Sequence, residues 1–264
     1  MSLLEALVLG MLHGLADVFP VSVSGHRAFV GQIFFDEISY PANFLGTMNL
    51  ATALAVLLAL RGEVSGIFRS LHRGRGAGRK VGLLVLVAVL PAGVVLYAFR
   101  DATAGVYADL FAVGVLLLVS GLLLYIGEEL GKRTRPLESL SVPGAILVGL
   151  FQTLAVLPGI SRSGAAVCGA MLAGITREAA VRFALLLSVM MLTFTGLWRI
   201  LYVESEPVAG GGSVFLVGSV AALVCGYGAA RVVLALAREF SMMIYAYYLW
   251  LAGVLVILFG TVLN

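Results

Sequence analysis

Two short stretches of this 264-residue chain place ionisable and hydroxyl side chains within otherwise apolar sequence. The first reads His13-Gly14-Leu15-Ala16-Asp17-Val18-Phe19-Pro20-Val21-Ser22-Val23-Ser24-Gly25-His26-Arg27, and the second Leu157-Pro158-Gly159-Ile160-Ser161-Arg162-Ser163-Gly164. His13, Asp17, His26, Arg27 and Arg162 are costly in such surroundings. Each is a functional candidate, set against a plainer role as half of a buried pair that holds the segments together. Ser161-Arg162-Ser163-Gly164 is placed to open a helix. Free backbone N–H groups, two hydroxyls and a guanidinium then converge at a positive helix end, which suits a phosphate. Ser22, Ser24, Gly25 and His26 form a matching set in the first stretch. Asp17 is a candidate divalent-cation ligand or base, and His26 a candidate nucleophile or proton donor. His13 and Asp17 are four residues apart, hence on one helix face, so either could orient the other. Arg27 has a competing reading in which its head group reaches outward to water. A small phosphate needs no lipid-embedded walls, whereas a phosphorylated lipid does.

The elements that carry these residues are apolar throughout. Six segments are long enough to span a bilayer: 43–60, 81–99, 109–127, 179–202, 213–237 and 243–262. Four shorter ones form two pairs, 3–19 with 22–35 and 143–157 with 161–175, each joined by a Pro/Ser/Gly stretch. Short members with a broken centre are expected to be re-entrant hairpins, which membranes tolerate only where protein or water covers the backbone. At an offset of 139 residues Gly10 falls on Gly149, His13 on Gln152, Leu15 on Leu154, Ala16 on Ala155, and Ser22, Ser24 and Gly25 on Ser161, Ser163 and Gly164. Each copy opens a half of one hairpin and three spans, residues 1–140 and 141–264. Three spans is an odd number, so the halves are expected to be inverted around a central site. The expected fold is an all-α integral membrane protein of six transmembrane helices and two re-entrant hairpins. Gly10-x3-Gly14 fits close helix packing.

Composition excludes a soluble domain: 61% of residues are hydrophobic and only 12% charged, with mean hydropathy +1.07. The net charge of +3 is dispersed over the loops and argues topology, not nucleic-acid binding. Alternation puts 61–80, 128–138, 176–182 and 231–241 on one side, with thirteen of the seventeen Lys and Arg residues. That side is expected to be cytoplasmic. The acidic segments 36–42 (Asp36, Glu37) and 203–212 (Glu204, Glu206) then lie outside, with both termini. The basic stretch 61–80 reads as a topology anchor, with anionic lipid as the alternative. Cys168 and Cys225 sit in apolar segments and read as small core residues. The start, Met1-Ser2-Leu3-Leu4-Glu5, lacks a basic region and is expected to be retained.

These motifs resemble those of the undecaprenyl pyrophosphate phosphatase family of the bacitracin-resistance type. Pro158 to Gly164 looks like its P-G-x-S-R-S-G motif, and Phe19 to His26 is similar to its F-L-P-x-S-S-[ST]-G-H stretch. The similarity covers most of the chain, including Ala180-x-Arg182-Phe183. The resemblance implies cleavage of a C55 polyprenyl pyrophosphate to the monophosphate in a bacterial-type inner membrane, recycling the envelope lipid carrier. It implies a divalent cation, Mg²⁺ or Ca²⁺. By position it makes Arg162 the phosphate grip, His26 catalytic, and Ser161 and Ser22 binders of phosphate oxygens. A homodimer is a further expectation. The chain departs from the pattern at four places. His13 and Asp17 stand where the family has a glutamate pair, Val23 where it has a serine, and Ala166 where it usually has threonine. Hydrolysis would then use His26 or an activated water. The alternatives are a non-hydrolytic polyprenyl-phosphate translocase and a small-solute transporter on the same scaffold.

Overall fold

A computed structural model describes residues 1–35, 40–99, 106, 109–205, 208 and 211–263. Of the expected outer acidic residues, Asp36, Glu37 and Glu206 lie outside this set. Among the described residues the chain is helical apart from turns and one isolated bridge between Arg135 and Ile175. Helices α1 (Leu3–Val18) and α2 (Val23–Phe34) make the first short pair. They are followed by α3 (Ala42–Ala59), α4 (Arg61–His72), α5 (Ala77–Phe99) and α6 (Leu110–Leu130). The second short pair is α7 (Val142–Thr153), extended by a 3₁₀ turn at Leu154–Val156, and α8 (Arg162–Leu172). The chain ends in α9 (Arg177–Leu201), α10 (Gly211–Glu239) and α11 (Met243–Leu263). Among the described residues six helices are long and apolar enough to cross a membrane: α3, α5, α6, α9, α10 and α11. The protein is a polytopic, all-α integral membrane protein.

The short helices start where serines satisfy their orphan N–H groups. Ser22 Oγ accepts from Gly25 N (3.2 Å) and Ser161 Oγ from Gly164 N (3.1 Å), at matching positions of the two motifs. Ser2 and Glu5 form a reciprocal capping box on α1.

Each short pair packs on a long helix from the other half of the chain: α1 on α10, and α7 on α5. The two contacts are made alike. A Cβ added to Gly10 would lie 2.3 Å from the Gly218 carbonyl oxygen, and one on Gly149 2.4 Å from that of Ala88. Gly114 on α6 and Gly253 on α11 are again 139 residues apart. Each faces the other's carbonyl at 2.9 and 2.8 Å from the would-be Cβ. In lipid, where apolar side chains gain little by meeting one another, such backbone approach is what binds helices.

Helix α4 lies in what the sequence suggested was a loop. Val64, Ile67, Phe68 and Leu71 recur at helical spacing, but they are too few to register as an apolar segment. At the same end of the bundle the buried Glu128 carboxylate meets the guanidinium groups of Arg133 and Arg177, and accepts the Met242 N–H at 3.2 Å. It thereby ties α6, α9 and α11 together. Cys168 and Cys225 are free thiols.

The glycine contacts are open to a direct test. Gly10→Ala and Gly149→Ala should each cost about 1–3 kcal/mol through overpacking. Gly228→Ala, where a Cβ meets nothing within 4 Å, should leave stability unchanged or raise it by up to ~1 kcal/mol. Thermal unfolding in detergent would show the contrast, and equal melting temperatures for all three variants would refute the packing account.

Candidate functional site

The two interrupted turns meet tip to tip over α6. Gly159, with φ of +113°, lies so close to this helix that a Cβ would be 2.7 Å from the Val113 carbonyl oxygen, so only glycine fits. In the other turn it is Ser22, with φ of +73°, that takes the left-handed conformation, a strained one for a residue with a side chain. Cross-links join the tips. Gly159 N donates to Ser24 Oγ (3.1 Å), Ser163 Oγ donates to the Phe19 carbonyl (3.2 Å), and Ser161 N donates to Ser120 Oγ of α6 (3.0 Å). The Arg162 guanidinium, at the start of α8, donates to Asp17 Oδ1 near the end of α1 at 2.7 Å.

This ion pair stands on the wall of a cavity of about 900 Å³ that is also lined by His13, Ser24, Arg27 and Ser161. Its polar lining is conspicuously under-used. Both ring nitrogens of His13, both carboxamide atoms of Gln152, and Asp17 Oδ2 are buried without a hydrogen-bond partner. His13 and Gln152 are 3% exposed and Asp17 4%. Orphaned buried polar atoms are rare in folded proteins and call for an explanation such as a ligand, ion or water. His13 and Gln152 occupy matching positions of the two motifs, so each short pair offers an orphaned group at the same point. Arg199 of α9 lines the cavity as well, as do Asn49 and Thr195, whose side chains are bonded to each other at 3.0 Å.

Of the residues expected to form the site, the structure thus brings His13, Asp17, Ser24, Arg27, Ser161 and Arg162 to one cavity. It places Ser22, Gly25, Ser163 and Gly164 behind the wall, where they cap helices and pin the turns. His26 stands apart from the cavity. Its Nδ1–H donates to the Ser22 carbonyl (2.8 Å), and the remaining lone pair on Nε2 accepts the Tyr248 hydroxyl (2.6 Å). The two rings stack at 5.6 Å with 4° between their planes. Val23, by contrast, faces the cavity. Sequence reasoning missed Gln152, Asn49 and Arg199 as wall residues. The offset pairing of His13 with Gln152 and the charge of Arg199 within an apolar span were the available signals.

A divalent cation would find a partial site here. Such ions take one or two carboxylate oxygens and complete their shell with water and substrate phosphates. Asp17 Oδ2, buried and unpartnered, fits that role. Among the described residues no group of three or more His, Cys, Asp or Glu side chains could hold a metal by itself.

The family model described as bacitracin resistance protein BacA matches residues 6–255. Curated proteins named undecaprenyl-diphosphatase are similar along nearly the full length. That of Thermobifida fusca is 33% identical, over 97% of this chain and 90% of its own. That of Mycolicibacterium smegmatis is 32% identical, over 99% and 98%. That of Halothermothrix orenii is 29% identical, over 98% of each.

Orphaned polar groups cost about 1–3 kcal/mol each when nothing satisfies them. Gln152→Leu should therefore raise the melting temperature of the ligand-free protein while impairing its function. A fall in melting temperature would mean that the carboxamide is already satisfied in the empty cavity.

Proposed function

This chain belongs to the bacitracin resistance protein BacA family, and on that premise we propose that it hydrolyses undecaprenyl pyrophosphate to the monophosphate, in the cavity walled by Arg162, Asp17 and His13. The observation that carries the assignment to this cavity is the Arg162–Asp17 pair, set among buried polar atoms that await a partner. Arg162 has spent one N–H on Asp17 and keeps further donors for a phosphate, to which a guanidinium binds through two parallel hydrogen bonds. Arg27 and Arg199 stand on the same wall, together with Glu204. Ser24 and Ser161 supply hydroxyls.

Water is the nucleophile in this reading. Val23 presents no hydroxyl where the family motif has a serine. The neutral His26 ring has committed its N–H and its lone pair to Ser22 and Tyr248. A water held against the terminal phosphorus gives a proton to an unpartnered nitrogen of His13 as it attacks. The phosphoric anhydride bond breaks, the bridging oxygen stays on the lipid monophosphate, and inorganic phosphate is released. A divalent cation, held by Asp17 Oδ2 and the substrate's own oxygens, would neutralise charge developing on the leaving phosphate. His26 acts as a positioning residue, because its hydrogen bond holds the strained Ser22 carbonyl and so fixes the turn that carries Val23 and Ser24.

We extend the proposal to topology. The crosswise packing of the short pairs supports re-entrant hairpins in two inverted halves, 1–140 and 141–264. Charge bias supports a cytoplasmic basic end and outer termini in a bacterial inner membrane. A homodimer would pack through the apolar outer faces of the spans.

The decisive assay is phosphate release from undecaprenyl pyrophosphate by the purified protein, with and without Mg²⁺ or Ca²⁺. Arg162→Ala should lower kcat/KM by about a thousandfold, ~4 kcal/mol of transition-state stabilisation. His26→Gln should lower it by only about tenfold, the scale of a displaced support. Parity between the two variants would make His26 a reacting group. Lipid binding without phosphate release would instead favour a translocase.

A further inference from the structure

The cavity has a second, apolar part that hydrolysis of the anhydride does not use. Leu96 and Tyr97 of α5 and Met191, Phe194 and Trp198 of α9 line it, with Tyr202 beyond the end of α9. The rings form a connected ladder. Tyr97 meets Trp198 edge-on at 5.6 Å, Phe194 lies 6.4 Å from Trp198, and Tyr202 stacks on Trp198 at 4.9 Å. Trp198 precedes Arg199, so the ladder adjoins a cationic part of the wall.

The same side chains are open to the outside of the bundle. Tyr97, Phe194 and Tyr202 are 57%, 47% and 70% exposed. Helix α5 is the least buried of the six spans, at 28% of its apolar window. The asymmetry is informative. Helices α5 and α10 support the two short pairs in equivalent ways, through Ala88 beneath Gly149 and Gly218 beneath Gly10. Yet α10 is packed along α3, whereas α5 touches α9 only sparsely. Among the described residues, therefore, the α5–α9 seam is looser than the matching one. Rings that only anchored a helix at the membrane interface would face lipid and headgroups alone. These rings face both the lipid and a cavity continuous with Arg162.

We propose that the slot between α5 and α9 admits the isoprenoid chain sideways from the bilayer and holds the units nearest the pyrophosphate, with Trp198 as the central contact. The assignment rests on the hydrolase reading above. Branched, unsaturated five-carbon units offer flat apolar faces, and a ladder of rings meets them with large contact area at low conformational cost. The polar end of the substrate then reaches Arg162 while its tail never leaves an apolar medium.

Two measurements test the slot separately from the reaction. Trp198 and Trp250 are the only two tryptophans of the chain, so emission that differs between wild type and Trp198→Phe belongs to Trp198. Farnesyl phosphate should shift that emission to shorter wavelength, and inorganic phosphate should not. In steady-state assays Trp198→Ala should raise KM for undecaprenyl pyrophosphate about tenfold and leave kcat within about twofold, the pattern of lost ground-state binding. Trp198→Leu, which keeps an apolar side chain of some bulk, should fall between. Unchanged Trp198 emission at saturating farnesyl phosphate, or a wild-type KM in a folded Trp198→Ala protein, would overturn the slot even if phosphate release is confirmed. Should no release occur at all, the hydrolase reading fails and the emission measurement still decides whether a prenyl chain enters between α5 and α9.

Discussion

One hydrogen-bonded ion pair, Asp17 with Arg162, sets the terms for the rest of this structure. Either charge alone at this depth would be expensive to hold in a bundle of apolar helices. Bonded at 2.7 Å each offsets part of the other's cost, but only if a helix ends near one and begins at the other. Helix termini expose N–H and C=O groups that a bilayer cannot satisfy. The serines answer that problem. Ser22 and Ser161 cap, Ser24 and Ser163 reach across to the opposite turn, and Ser120 rises from α6 to meet Ser161. A polar centre therefore comes with its own hydrogen-bonding frame, and the two make one unit.

That frame needs close backbones. Gly10 and Gly149 let α1 and α7 settle onto α10 and α5 at distances that exclude any side chain, and each supporting helix belongs to the other half of the chain. Neither half can place its own short pair. Asp17 and Arg162 are 145 residues apart in sequence and are brought together by contacts of comparable range. The site is accordingly a product of the completed fold, and strain at Ser22 is tolerated because neighbours from both halves hold the turn.

Much of this was legible beforehand. The six spans, the two broken pairs and the repeated Gly/Ser pattern follow from apolar run length and an offset of 139 residues. A buried pair holding the segments together is the plainer role open to such ionisable residues, but that its members are Asp17 and Arg162 is set by the fold. What the sequence withheld lay at finer scale. Helix α4 hides its four apolar residues among glycines and arginines, below the level at which a run stands out. The direction of His26 depends on the backbone angle of Ser22, and one residue in the left-handed region swings the following helix so that Val23 and Arg27 face the cavity and His26 does not. The looser α5–α9 seam is a matter of contacts that the described residues do not make, and a sequence carries no direct mark of those.

The departures from the family motif can be understood together as a change in the charge of one wall. A pair of carboxylates beside a pyrophosphate would repel it unless cations intervened. With His13 in place of one acid, Asp17 is matched by Arg162, and Arg27 and Arg199 remain nearby on the same cavity. On the proposed reading the exchange removes one negative charge from the wall that a polyanion would meet. The same exchange supplies a neutral lone pair at a depth where a carboxylate would be costly. On the proposed reading the missing hydroxyl at Val23 and the imidazole at His13 go together, because an attacking water needs a base to take its proton.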